Sequence, residues 1–129
     1  MQRPVLALLL ALSLGIALPA WAATEMPFTQ AAFQAAQKSD EPILVWIHAT
    51  WCPTCAKQAP ILARLEQEPA YQGLKVFKVD FDTQKDVVRA MGVQMQSTLI
   101  AFHGSTEQAR STGQTDESAL RALVARTAG

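Results

Sequence analysis

The sequence predicts an α/β fold in which a central mixed β-sheet is flanked by helices and completed by a terminal β-hairpin and helix. Three observations lead there. Strand-like apolar runs alternate with helical patterns along most of the chain. The run Ile43-Leu44-Val45-Trp46-Ile47 is apolar without interruption, as suits a strand buried on both faces of a parallel sheet. Near the end, a glycine-bearing turn joins two strand-like segments before a last amphipathic helix, which introduces antiparallel pairing.

The elements follow in order. Residues 1–22 have the pattern of a secretory signal peptide: Arg3 as a positive n-region, the Leu/Ala-rich stretch Val5 to Leu18, the helix breaker Pro19, and Ala20-Trp21-Ala22 before a cut near Ala22. The apolar stretch is shorter than the ~20 residues a spanning helix needs, so an uncleaved anchor is the lesser reading. The expected mature domain is then residues 23–129, exported to surroundings where disulfides can persist. A brief strand is expected around Met26–Phe28. Thr29 is placed to N-cap a helix to about Lys38, with Ala32, Phe33 and Ala36 on one face. Ser39-Asp40-Glu41-Pro42 ends it, and the central strand Ile43–Ile47 follows. A Cys-Pro-Thr-Cys turn opens a helical pattern from Pro53 to about Glu68, with Pro53 suited to its first turn and Pro60 to a kink. Leu74 to Phe81 reads as a strand. Thr83-Gln84-Lys85-Asp86 resembles a capping box opening a helix that closes at Gly92. Thr98–Phe102 is a third strand, and His103-Gly104-Ser105-Thr106 turns into a polar, edge-like strand near Gln108–Ser111. Asp116 caps a last helix that buries Leu120, Leu123 and Val124.

Composition narrows the function. The 129 residues carry 11 Lys plus Arg against 11 Asp plus Glu, so no basic field selects nucleic acid or anionic lipid. An apolar fraction of 50% argues against disorder. Two cysteines are too few for a disulfide scaffold or a four-cysteine zinc site.

Both cysteines lie in Trp51-Cys52-Pro53-Thr54-Cys55, just after a buried strand and at a helix start. Unpaired N–H groups and the positive end of the helix dipole favour a thiolate there. Cys52 is expected as the exposed nucleophile, and Cys55, one turn in, as the buried cysteine that resolves a mixed disulfide. The same pair could be an inert structural disulfide or half of a metal site completed by His48 and His103.

At these residues the chain resembles the thioredoxin family. Ile43 to Cys55 looks like the family's active-site strand and turn, Lys57 and Pro60 fall where its active-site helix has Lys and Pro, and Gly92-Val93, Thr98 to Gly104 and Gly113 look like later landmarks. The opening Phe28-Thr29-Gln30 and the exported setting are most similar to periplasmic members, such as the terminal domain of membrane disulfide-interchange reductases, which implies a periplasmic location. The resemblance implies a thiol–disulfide oxidoreductase with no bound cofactor, acting on protein disulfides or thiols. It also implies a membrane electron donor and a monomeric state, while the balanced charge leads us to expect no nucleic-acid partner and the short apolar stretch no stable membrane insertion.

The chain departs from the family twice. Ser97 stands in place of the family's cis-proline, so that Gln96, Ser97 and Thr98 form the expected client-contact loop, with a trans Gln96–Ser97 bond favoured by the cost of a non-proline cis bond. Trp46 stands in place of the family's buried acid, which leaves Lys78 without its family partner. His48 shares a strand face with Trp46 and is a candidate imidazolium partner for Cys52. His103 reads as a turn residue, and Glu66, Gln67 and Glu68 as solvated helix surface. Dedicated oxidants and isomerases of the family carry additional domains, which favours a reductase or electron relay. A metal-binding or metal-delivery module using Cys52, Cys55 and a histidine is the alternative.

Overall fold

A computed structural model describes Gly15 and residues 23–129. The signal-peptide pattern otherwise lies outside the described residues. Among the described residues five strands and four α-helices follow in the order β1 (Thr24–Pro27), α1 (Gln30–Lys38), β2 (Pro42–His48), α2 (Pro53–Glu66), β3 (Lys75–Asp80), α3 (Lys85–Ala90), β4 (Thr98–His103), β5 (Thr106–Thr112) and α4 (Glu117–Ala125). The sheet order is β1-β3-β2-β4-β5. The β1, β3 and β2 strands are parallel, whereas β4 and β5 are antiparallel to their neighbours. The mixed sheet expected from the sequence is therefore present.

The uninterrupted apolar run of β2 follows from its central position. Successive side chains of a strand point to opposite faces. Leu44 and Trp46 join one core with Leu62 and Leu65 of α2, Leu99, and Leu120 and Val124 of α4. Ile43, Val45 and Ile47 join a second core with Phe28, Phe33 of α1, Phe77, Val88 of α3 and Ile100. Both faces are covered from Ile43 to Ile47, so those positions do not tolerate a polar group without a partner. Phe33 anchors the second core, with ring centroids 5.2 Å from Phe28, 5.7 Å from Phe77 and 5.5 Å from Phe102. Burying a ring of this kind contributes ~1.5–3 kcal/mol.

Local signals set most boundaries. Thr29 Oγ1 accepts the Ala32 N–H at 3.2 Å, and Asp116 Oδ1 accepts the Ala119 N–H at 2.8 Å, so both expected N-caps form. The first strand begins two residues earlier than expected, pairing Thr24 with Lys75. The expected capping box at Thr83 does not form. Asp80 Oδ1 takes the N–H groups of Asp82 and Thr83 at 2.9 and 3.0 Å, and Gln84 Oε1 turns back to the Asp80 N–H at 2.9 Å. Asp80 thereby takes the Thr83 N–H that the Asp86 side chain would accept in a capping box, and α3 starts at Lys85 with Gln84 as its N-cap.

The far end of the sheet is closed by His103. It is the last residue of β4 rather than a turn residue, with Nδ1 2.9 Å from the Thr127 carbonyl and Nε2 3.4 Å from Asp40 Oδ2. No described helix is long and apolar enough to cross a membrane.

Candidate active site

The site forms where the sheet changes from parallel to antiparallel. β2 delivers the chain to Cys52, whose N–H bonds the Ala49 carbonyl at 3.2 Å. Cys52 is the N-cap of α2, and Pro53 occupies the first helical turn, where its missing N–H removes no bond. The two cysteines form a disulfide with Cα atoms 5.2 Å apart. Cys52 Sγ also accepts the Cys55 N–H at 3.0 Å. That bond and the helix dipole act on the same sulfur, and both favour the thiolate when the pair is reduced.

One expectation about the pair is corrected. Cys55 is fully buried as anticipated, but Cys52 is only 2% exposed. Its sulfur, bonded to Cys55, lies against the first turn of α2. What faces solvent instead is Trp51, 57% exposed, with Pro53 exposed and Thr54 half-buried on the same turn. The Trp51 indole N–H donates to Asp82 Oδ2 at 2.7 Å, tying the turn to the β3–α3 loop. The sequence reading missed Asp82. Its signal was the Asp-Phe-Asp run at a strand's C-terminal end.

The expected client-contact loop lies beside the pair, since Ile47 of β2 pairs with Thr98 of β4. No described peptide bond is cis, so Gln96–Ser97 is trans, and Ser97 adopts φ +60°. Its backbone is bonded on both sides: the N–H donates to the Ile47 carbonyl at 2.7 Å, and the carbonyl accepts from the Gly113 N–H at 3.0 Å. Gly113 itself has φ +76°, which an L side chain rarely adopts. The Thr98 hydroxyl donates to the Met95 carbonyl at 2.8 Å, so the 2.9 Å contact with the Thr112 hydroxyl is donated by Thr112. Met95, 54% exposed, places a second large apolar group on this side of the loop.

Trp46 is buried beneath the site, and its indole N–H donates to Gln58 Oε1 at 2.9 Å. Gln58 is itself fully buried, and its Nε2 donates to the carbonyls of Ser97 and Gln114, each at 3.0 Å. Gln58 was missed from sequence. Its signal was a polar residue in register with Cys55, Ile61, Leu62 and Leu65, the residues that α2 buries.

Lys78, deprived of a buried acid on β2, pairs with Glu25 of β1 at 3.8 Å and places its ammonium 5.1 Å from the Trp46 ring centroid, a cation–π geometry. His48 packs edge-on against Trp46, with ring centroids 4.7 Å apart. Burial, and secondarily the Lys78 ammonium, lower its pKa below the ordinary 6.5. The imidazolium expected beside Cys52 is therefore disfavoured at neutral pH.

Glu66 also departs from expectation. It is half-buried, with one carboxylate oxygen enclosed and unpaired. Burial, with help from the Glu25 charge, pushes its pKa up to about 7. Among the described residues no group of three or more His, Cys, Asp and Glu side chains is placed to hold a metal ion, and His103 lies at the end of β4 opposite Thr98.

A cysteine pair at a helix N-terminus, facing a strand-initiating loop in a β1-β3-β2-β4-β5 sheet, defines a thiol–disulfide oxidoreductase domain. The comparisons agree. The thioredoxin family matches residues 24–126, and the chain belongs to that family. It is 36% identical over 98 residues to a thioredoxin of Pseudomonas aeruginosa, covering 74% of this chain and 89% of that one. It is 37% identical over 82 residues to the bifunctional thioredoxin reductase/thioredoxin of Mycobacterium leprae, covering 64% of this chain but only 18% of that protein. Among solved structures, Trxlp from Edwardsiella tarda superposes with a TM-score of 0.77 at 44% identity, over 78% of this chain and 98% of that one.

Proposed function

We propose that this thioredoxin-family domain works outside the cytoplasm as a reductase or electron relay for protein disulfides. The observation that carries the exchange chemistry is the Cys52–Cys55 pair, with Cys52 Sγ accepting the Cys55 N–H at the start of α2. In the reduced pair, the Cys52 thiolate attacks one sulfur of a client disulfide. The client's other sulfur leaves as a thiolate. Cys55, deprotonated, then attacks Cys52 Sγ, releasing the second client thiolate and closing the Cys52–Cys55 disulfide. Two electrons pass to the client.

A protein client is supported by the surroundings. Trp51 and Met95 are the exposed large apolar side chains among the described residues. A groove of about 350 Å³ runs beside the loop, lined by Val93, Met95, Thr98, Arg110 and Thr112. The reductive direction is supported by the unbroken succession of elements from β1 to α4, which carries no inserted domain. The extracytoplasmic setting is supported by the signal-peptide pattern of residues 1–22, and it calls for an electron donor at the membrane.

The test is the reduction potential of the pair, measured with reduction of insulin disulfides. A potential near about −270 mV, as in thioredoxin, with rapid insulin reduction supports the reductase. A value near about −120 mV, that of a strong periplasmic oxidant, overturns the direction.

A further inference from the structure

We propose that Gln58 is a positioning residue for disulfide exchange, holding Ser97 so that the backbone of Gln96 is preset to pair with an extended client segment. This rests on the exchange reading above and deepens it.

Gln58 is fully buried on α2, three residues after Cys55. An enclosed amide is costly unless its hydrogen bonds are made. Here three are made, to three separate parts of the chain: Trp46 on β2, Ser97 before β4 and Gln114 before α4. The orientation of the amide is forced. An indole N–H only donates, so it must meet Oε1, and the two backbone carbonyls only accept, so they must meet Nε2.

The consequence falls on Ser97. Its left-handed φ of +60° is unfavourable for a residue with a Cβ. It is held there by three hydrogen bonds: its N–H to the Ile47 carbonyl, and its carbonyl from the Gly113 N–H and Gln58 Nε2. Gln96, one residue earlier and half-buried, contrasts with it. Among the described residues, neither its N–H nor its C=O enters a backbone hydrogen bond. A fixed residue thus adjoins one whose backbone donor and acceptor are free for an incoming strand. Fixing such a loop before binding raises affinity by removing the cost of ordering it.

The test uses Gln58→Met, which keeps length but loses the bonds, and the isosteric Gln58→Glu. The probes are a synthetic peptide with one internal disulfide, reduced with dithiothreitol as electron source, and the small disulfide 5,5′-dithiobis(2-nitrobenzoate). Gln58→Met is expected to raise KM for the peptide about tenfold, with kcat within about twofold, the size expected from losing the one bond that reaches Ser97. Gln58→Glu adds a pH signature. As a neutral acid it still accepts from Trp46 and donates to one carbonyl, but as a carboxylate it keeps only the Trp46 bond and repels both carbonyls. Its KM relative to wild type should therefore be near one at pH 5 and about tenfold higher at pH 8. A merely structural role would lower the melting temperature without that profile. If Gln58→Met does not fold, the Gln58→Glu profile decides. Wild type that reduces neither probe overturns the exchange reading itself. Active wild type, with folded variants that keep its KM from pH 5 to 8, overturns the role of Gln58 alone.

Discussion

Replacing Glu66 by Gln should stabilise the protein at pH 8 and leave it unchanged near pH 4. One carboxylate oxygen of Glu66 is enclosed without a partner, and its pKa stands at about 7 instead of the ordinary 4.5. Below about pH 4.5 the group is protonated in both the folded and unfolded chains, so it costs nothing. As pH rises, the unfolded chain releases its proton first. The folded state falls behind until pH passes about 7, and above that the full penalty applies. Taken at face value the shift corresponds to ~3 kcal/mol. The group is only half-buried, however, and solvent screening reduces this to ~1–2 kcal/mol. Gln fills the same space without a charge to desolvate. Urea unfolding of the oxidised wild type and Glu66→Gln at pH 4 and pH 8 reads the difference. A melting experiment at pH 8 should show a rise of about 5–10 °C for a domain of this size. Equal differences at the two pH values, or a variant less stable at pH 8, would refute the reasoning.

Two other substitutions probe the loop and its neighbour. Ser97→Pro, which restores the family's residue, should be damaging here. Proline requires φ near −65° and has no N–H, whereas Ser97 has φ +60° and donates to the Ile47 carbonyl. A loss of ~2–4 kcal/mol in urea unfolding is expected, and a neutral or stabilising result would show that the loop readily remodels. His48→Ala should leave the thiol pKa of Cys52 unchanged within about 0.3, measured by the pH dependence of alkylation, because His48 is held towards its neutral form. A clear rise would restore it as a charged partner.

The parts of this fold that were readable from sequence are those fixed by local chemistry. The N-caps at Thr29 and Asp116 need only a side-chain oxygen three residues before a free N–H. The run of β2 announces a strand covered on both faces. What escaped depends on partners distant in sequence. The Thr83 capping box looked sound by itself, but the Thr83 N–H it needs goes to Asp80, whose position at the end of β3 is set by the sheet. Glu66 looked like solvated helix surface, but packing half-buries it and β1 adds the like charge of Glu25. Gln58 is intelligible only once Ser97 and Gln114, 39 and 56 residues away, converge on it. The candidate site divides the same way: Cys52 and Cys55 are a local motif, whereas the burial of Cys52 and the neutral state of His48 belong to the assembled domain.

The meeting of parallel and antiparallel halves at the site also has a bearing on biosynthesis. The chain emerges from the ribosome N-terminus first, so β1, β2, α2 and β3, with both thiols, exist before Ser97 has been made. Until β4 pairs with β2, the nascent chain has its nucleophile but no bonded Ser97 beside it. Both thiols are therefore made before the loop that borders them, and the site is complete only when the Ser97 N–H reaches the Ile47 carbonyl.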